Sequence, residues 1–459
     1  MDNLTHSLIG LVAGESIARA TRPRETRLAP DTRRGLFVTL SVIGGNLPDL
    51  DLLYSYRGLS QSTQAKLDYM LQHRGYTHTV LACLLLAVLL YAAVEGWARW
   101  RHQPLTRRDR LALAGVSLFA TSLHLAMDFL NNYGVHPFWP WQNRWFYGDS
   151  VFIAEPLYWL ATAPLFFVVR SNVGRGIIAL ALVAAPVLTF LLHMAALTSC
   201  VGFVALAVAL LVAGRCMPAR TAAITSAALM VLVTAAFVLC GRLAAHRIDS
   251  VAATELPADR IVDHVLTPAP MNPLCWDVVL LTTNGDRYVA RHALLSNAPA
   301  LMTAARCPSP RPSVERPLQA ARPSTAATDS VAQAVDPGEI QWLDEFAMSR
   351  ALLAKLVGQH CDAAALMQFA RAPFAVDLER RWLMGDLRFD PERSGGVASI
   401  ELGSPSAGHC RPTAPWTPPR ADLLSPSRGV YYSHPIITAK LINLAFGVFS
   451  CSRCTVELG

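Results

Sequence analysis

Over its first 245 residues the chain alternates apolar runs with short arginine-rich breaks, and after that the rhythm is lost. Residues 4–20 form a short, weakly apolar segment rich in small residues, read as a first span or an interfacial helix. Apolar runs follow at 36–53, 77–97, 111–130, 153–169, 177–197, 200–214 and 221–241. A bilayer core of about 30 Å takes about 20 helical residues, so the short runs at 153–169 and 200–214 leave the count at seven to eight. Beyond Arg242 the periods shorten. Residues 276–295 alternate around Asn284-Gly285, a favoured tight-turn pair, and predict a hairpin. Leu343, Phe346, Leu352, Leu353 and Leu356 give 340–359 helical spacing, and 381–389 alternates like a strand. Residues 303–337 and 404–428 are rich in Pro and Ser and read as flexible insertions.

The expected fold is therefore mainly α: a polytopic transmembrane helical bundle of about 7–8 spans, followed by a small α+β C-terminal domain with disordered insertions. Three regions follow from the pattern: 1–165 as a membrane-embedded metal-site domain, 166–245 as additional transmembrane helices, and 246–459 as an extramembrane tail holding the insertion 303–337.

Composition supports this division. Of 459 residues 53% are hydrophobic and only 16% charged, against about a quarter charged in soluble domains. The formal charge of +7 does not call for nucleic acid, because it gathers in short loops between apolar runs. Residues 19–34 carry six arginines against two acids, and 98–110 carry five against one. Arg170/Arg175 and Arg215/Arg220 mark two further breaks on the same side. The positive-inside rule places these stretches in the cytoplasm. Residues 54–76, 131–156 and the tail then face the periplasm of a bacterial inner membrane. The opening run carries Asp2, His6 and Glu15 without a basic leader, and reads as retained.

Against this apolar background a set of ionisable groups stands out. An aspartate in a membrane helix costs about 2.5–3.5 kcal/mol near the centre, yet Asp49 and Asp51 follow Pro48, His73 and His78 flank the next span, and His124 and Asp128 close another. His124 and Asp128 are four apart, on one helical face. With His6, four distant segments bring these groups to one membrane face. Imidazole and carboxylate together suit zinc, and a larger carboxylate share shifts the preference to manganese or magnesium. A divalent cation there would activate water for attack at phosphorus. Arg74 is suited to hold a phosphate oxygen, His73 to ligate or pass protons, and Glu155 to act as acid, base or extra ligand. Tyr133, His136, Trp139 and Trp141 read as entry residues or as an interfacial aromatic belt. Ten cysteines include six in the tail, whose pairing the sequence leaves open.

Met1-Asp2-x-x-Thr5-His6, Asn46-x-Pro48-Asp49-x-Asp51, His73-Arg74-Gly75-x-Thr77-His78, His124-x-x-x-Asp128 and Tyr133-Gly134…Trp139-Pro140 together resemble the bacterial inner-membrane metal-dependent hydrolases of the YdjM-like group. The resemblance covers roughly residues 1–165 and continues through Asp149…Glu155-Pro156-Leu157-Tyr158. It implies a multi-span protein with a His/Asp metal centre at His6, Asp49, Asp51, His73, His78, His124 and Asp128, and a distant likeness to zinc-dependent phospholipases C. The expected activity is hydrolysis of a phosphoester in a lipid or envelope precursor. The alternatives are a transporter or proton relay using the same cluster, and a non-enzymatic envelope-stress protein. No repeat of the Asp49/Asp51 pattern occurs in the second half, which weighs against the paired architecture of transporters.

Overall fold

The computed structural model describes residues 1–21, 26–55, 62–308, 338–379, 381–406, 410 and 413–424. Helix α1 (Asn3–Ala20) starts on Asp2, whose carboxylate accepts the Thr5 N–H at 3.0 Å, satisfying one of the free amides of the first turn. It lies against α2 (Pro30–Gly44) at unusually short range. A Cβ on Gly10 would sit 2.5 Å from the Ser41 carbonyl oxygen, and one on Gly14 2.6 Å from Val38 Cα. Small residues four apart allow such backbone contact.

At Gly45-Asn46 the helix breaks, then resumes as a 3-10 turn over Leu47–Asp51 and a short α3 (Leu52–Ser55), bent by 46° from α2. Pro48 lacks the N–H that a continuous helix would use there. Then come α4 (Thr63–Gln72), α5 (Val80–Trp100) and α6 (Arg107–Phe129), the last opened by a reciprocal Thr106/Asp109 cap. The short α7 (Pro156–Leu160) precedes three long helices, α8 (Asn172–Leu191), α9 (Leu197–Cys216) and α10 (Ala219–Glu255).

Five of these helices are long and apolar enough to cross a membrane, or six if α2 and its bent continuation form one span. The expected seven to eight are not reached among the described residues. Glu15 and Arg19 interrupt the apolar character of α1. The run at 153–169 folds as α7 and a 3-10 turn over Ala163–Leu165, started by Pro156 and containing Pro164. Neither piece is long enough to span.

At 37 residues, α10 extends for about 55 Å, well past a bilayer core of about 30 Å. Its last turns carry Ala244, Ile248, Val251 and Ala252 onto a four-stranded antiparallel sheet. The strands are β1 (Arg260–Ala269), β2 (Asn272–Asn284), β3 (Arg287–Ser296) and β4 (Ile340–Ser349), in that order across the sheet. Trp276, Val278 and Leu280 face α10, while Val279 and Leu281 face the opposite core, as the two-residue period of a strand demands. The expected hairpin is present. Asn284 pairs with Arg287, so the two loop residues are Gly285 and Asp286, and Gly285 takes the positive φ of +58° that such a turn needs.

The helix expected over 340–359 is half strand. β4 takes the first half, and α11 (Arg350–Gln359) begins only after Ser349. Pairing to β3 overrides the helical spacing, and Glu345 holds Arg287 and Arg291 of that strand. Next are α12 (Cys361–Met367) and a three-stranded sheet of β5 (Pro373–Asp377), β6 (Trp382–Asp386) and β7 (Ser399–Glu401). Two disulfides, Cys275–Cys307 and Cys361–Cys410, tie this region together.

Part of the Pro/Ser-rich 404–428 is packed rather than flexible. Trp416 is 1% exposed and Leu423 is buried in the same core. Residues 309–337 of the expected insertion, and two of the six tail cysteines, Cys451 and Cys454, lie outside the described residues.

Candidate metal centre

Five segments meet at one end of the bundle. They are the first turn of α1, the break after α2, the loop before α5, the last turn of α6 and the loop that follows it. All seven sequence-assigned ligands are buried here, His73 being the most open at 7%. His78 Nε2 lies 2.9 Å from Asp128 Oδ2, 3.3 Å from Asp49 Oδ1 and 3.0 Å from His124 Nε2. His124 Nε2 lies 3.5 Å from Asp49 and 3.4 Å from Asp128. One atom from each of these four side chains falls within 4.8 Å of every other. A second group, Asp49, Asp51 and His73, meets the same limit and shares Asp49.

Hydrogen bonds fix which atoms are free. His124 Nδ1 donates to the Gly45 carbonyl at 2.7 Å, leaving Nε2 with a lone pair when the ring is neutral. Thr77 donates to Asp51 Oδ2 at 2.9 Å and accepts from His78 Nδ1 at 3.0 Å, so His78 Nε2 is bare as well. Two imidazole lone pairs therefore face each other at 3.0 Å. Asp49 Oδ1 and Asp128 Oδ2 are buried and accept no aligned hydrogen bond. Four electron-pair donors turned toward one point repel unless a cation lies between them. The cluster fits a divalent metal.

The surrounding groups orient this set. Asp51 takes the Arg74 backbone N–H at 2.8 Å, the Thr77 hydroxyl, and His73 Nδ1 at 3.0 Å. These bonds tie Asp51 directly to His73 and, through Thr77, to His78. An Asp51→Asn variant should lose about 10–100-fold in metal affinity, the usual effect of an orienting partner, as measured by competition with a chelating dye. An unchanged affinity would remove Asp51 from the centre.

His6 Nε2 lies 3.2 Å from Asp128 Oδ1 and its ring stacks on His124 at 3.9 Å. The Met1 amino group also pairs with Asp128 Oδ1. Arg74 is fully buried with φ of +60°, an unusual backbone for a residue with a side chain. Its guanidinium donates to Asn131 Oδ1 at 2.8 Å and approaches Asp128 at 3.2 Å, while Nε has no acceptor. Burial lowers the His73 imidazole below its usual value, with Asp51 opposing.

Glu155 makes no hydrogen bond or ion pair with these ligands among the described residues. Oε1 accepts the Leu157 and Met271 N–H groups at 3.0 and 3.1 Å, and Oε2 is buried without a partner. Burial pushes its carboxyl up to about 8, against the opposing pull of those two amides. The folded state thus holds this proton more tightly than the unfolded chain, whose value is 4.5. Stability should fall as pH rises from about 4.5 to about 8, and Glu155→Gln should flatten that slope in thermal unfolding. Equal slopes for the two proteins would mean that Glu155 is solvated. Asp149 is likewise committed, to Arg371 at 2.8 Å.

Of the proposed entry residues, Tyr133 and His136 are buried and Trp141 is exposed. His136 stacks against Trp416 at 3.7 Å, and burial pushes its pKa down to about 3. Trp416 Nε1 donates to the Leu71 carbonyl at 2.7 Å, so a segment from the C-terminal region rests on the loop carrying His73 and His78. Thr77, Asn131, the Gly45 carbonyl and Trp416 were not among the residues assigned from sequence. The first two are polar neighbours of assigned ligands, which was a usable signal. The other two carried none.

Residues 1–200 match the family described as YdjM inner membrane protein, which is the resemblance carried by the sequence motifs. No curated protein and no solved structure matches the chain, so the distant likeness to zinc-dependent phospholipases C finds no support there.

Proposed function

We propose, from this match to an inner-membrane family and the geometry of the buried cluster, that the protein is a membrane-bound metal-dependent hydrolase of lipid-linked phosphoesters. The observation that carries the reading is the facing pair of bare imidazole nitrogens, flanked by two carboxylate oxygens without donors. Asp49, His78, His124 and Asp128 hold the cation, with His6 behind Asp128 and Asp51 setting the tautomers of His73 and His78. Two nitrogens and two oxygens match a four-coordinate zinc site, with manganese or magnesium as alternatives. When bound, such an ion supplies Lewis acidity and lowers the pKa of nearby water.

The chain's own residues do the rest. The Arg74 Nε–H, lacking an acceptor beside the cluster, binds an anionic phosphoryl oxygen. His73, the most open member, takes or returns a proton at Nε2, because its Nδ1 is held by Asp51. Leu50, Leu53 and Tyr54, on the segment that carries the aspartates, are exposed apolar side chains, and favour a substrate with a lipid tail. The arginine-rich loops and the disulfides of the C-terminal region support a periplasmic side for the site.

The test is phosphate release by the purified full-length protein in detergent, from a lipid phosphomonoester and a phosphodiester, after chelation and after reloading with zinc or manganese. Release that follows the metal and fails in Arg74→Gln is the expected result. A protein that holds stoichiometric metal yet releases nothing from either ester would overturn the hydrolase reading and favour a cation carrier.

A further inference from the structure

Beside the metal centre three neighbouring side chains each keep a polar group that the fold does not use. Arg74, Asn131 and Tyr133 are 1%, 2% and 7% exposed, and Arg74 Nε, Asn131 Nδ2 and the Tyr133 hydroxyl find no partner among the described residues. The three side chains form one cluster. Asn131 Oδ1 accepts both Arg74 Nη1 at 2.8 Å and the Tyr133 backbone N–H at 2.9 Å, which fixes the amide and leaves its nitrogen over. The Arg74 guanidinium lies over the Tyr133 ring, 5.0 Å from its centre, and the same ring meets the His73 ring edge-on at 5.5 Å. Burial, with Tyr69 adding to it and Arg74 opposing, holds the Tyr133 phenol well above its usual value, so the hydroxyl stays a donor. Buried donors in folded proteins are nearly always paired. Three left open on side chains in mutual contact call for one acceptor-rich ligand.

Taking the hydrolase reading of this site as the premise on which it rests, we infer that Asn131 and Tyr133 join Arg74 in binding the terminal phosphoryl group of a phosphomonoester. Free charge does not select this ligand, because the guanidinium already faces Asp128 Oδ1 at 3.2 Å. The number of open donors does. The Arg74 Nε–H and the Asn131 amide hydrogens can only donate, so the ligand must offer lone pairs and bring no hydrogens of its own. A water molecule brings two, and these would compete with the cation for Asp49 Oδ1 and Asp128 Oδ2, the buried oxygens of the centre that accept nothing. A phosphodiester has only two free oxygens, and its second alcohol would have to be housed among side chains that are all 7% exposed or less. A terminal phosphoryl group has three free oxygens and one substituent, enough to meet the cation and the donors together.

The experiment is isothermal titration calorimetry of the full-length protein in detergent, reloaded with zinc, against methylphosphonate and against dimethyl phosphate. The first has three free oxygens and the second two, and neither titration needs turnover. The wild type should prefer methylphosphonate by roughly tenfold or more, and Tyr133→Phe, which removes only the hydroxyl, should weaken methylphosphonate about tenfold, as expected for one hydrogen bond to a charged group. Asn131→Asp keeps the oxygen that Arg74 uses but puts a second oxygen in place of the open donor, and should weaken methylphosphonate further. Metal content and the unfolding temperature in ligand-free buffer should stay at the wild-type level in Tyr133→Phe, because its hydroxyl supports nothing in the unliganded fold. A hydroxyl with a merely structural role would lower that temperature and leave the affinity alone, which would overturn the proposal. So would a metal-loaded wild type that binds neither anion or both equally, or wild-type affinity for methylphosphonate in metal-loaded Tyr133→Phe and Asn131→Asp. A protein that binds methylphosphonate as expected yet releases phosphate from no ester would overturn the hydrolase reading while the oxyanion site stands.

Discussion

Replacing His78 by alanine should abolish stoichiometric metal binding and, with it, any phosphoester hydrolysis. No other side chain touches as much of the centre. Its Nε2 reaches Asp49, Asp128 and His124 within 3.3 Å, and its Nδ1 faces Asp51 and Thr77. Alanine removes one of four donors and leaves the buried carboxylates of Asp49 and Asp128 with an incomplete ligand set beside them. The loss in affinity should exceed the 10–100-fold, or about 1.4–2.8 kcal/mol, that attaches to an orienting group such as Asp51. The measurement is metal content by mass spectrometry after dialysis, beside Asp51→Asn and His124→Ala. The ranking of the three is the sharp part: His78→Ala and His124→Ala near zero, Asp51→Asn reduced. Far-UV circular dichroism shows whether the helices survive, and His78→Gln, which keeps the side-chain volume, covers the case where alanine does not fold. A folded His78→Gln that binds metal like wild type would show that His78 is not a ligand, and a folded wild type without stoichiometric metal would show that the cluster is a packing network.

The centre was legible in the sequence because its cost is visible there. Aspartates and histidines inside apolar runs are expensive, and a parity argument on arginine-rich loops was enough to bring His6, Asp49, His78 and Asp128 to one end. The tautomers were not legible. They depend on a backbone carbonyl at Gly45 and a hydroxyl at Thr77, groups that look alike in any sequence until the backbone is placed. The contacts of Glu155 were not legible for a related reason: adjacency to the motif says nothing of direction, and its Oε1 takes the N–H of Met271, 116 residues away. Hydropathy counts more spans than the described residues show because it weighs composition, and Pro156 and Pro164 shorten a run without making it less apolar. The helix expected at 340–359 shows the same limit in the C-terminal region. Its apolar spacing fits a helix, but an open edge of β3 was available, and ladder pairing with Glu345 between two arginines decided the first half.

Arg371→Met should cost the C-terminal region about 3–5 kcal/mol, the usual result of breaking a buried ion pair from one side. The guanidinium is 3% exposed and grips Asp263 with two bonds of 2.8 and 3.0 Å, while a third reaches Asp149 at 2.8 Å. Desolvation works against its charge, but Asp149 and Asp263 more than offset it and hold the group protonated far above any accessible pH. Methionine fills a similar volume but leaves two carboxylates facing an apolar side chain. The effect should reach the metal centre, because Asp149 ends the loop that begins at Asn131, and Asn131 holds Arg74 at 2.8 Å. Arg388 braces the same loop through the Asn132 carbonyl at 2.7 Å. Tryptophan fluorescence during denaturant unfolding reads the loss of stability, since Trp145 and Trp416 both sit in the shared core. Arg371→Lys should recover only part of the loss, because an ammonium cannot make the two-pronged contact to Asp263. The metal should also exchange faster with a chelator in Arg371→Met than in wild type, although every ligand is intact. A variant that unfolds within about 1 kcal/mol of wild type and exchanges metal at the same rate would show that the C-terminal region merely sits beside the centre and does not hold it closed.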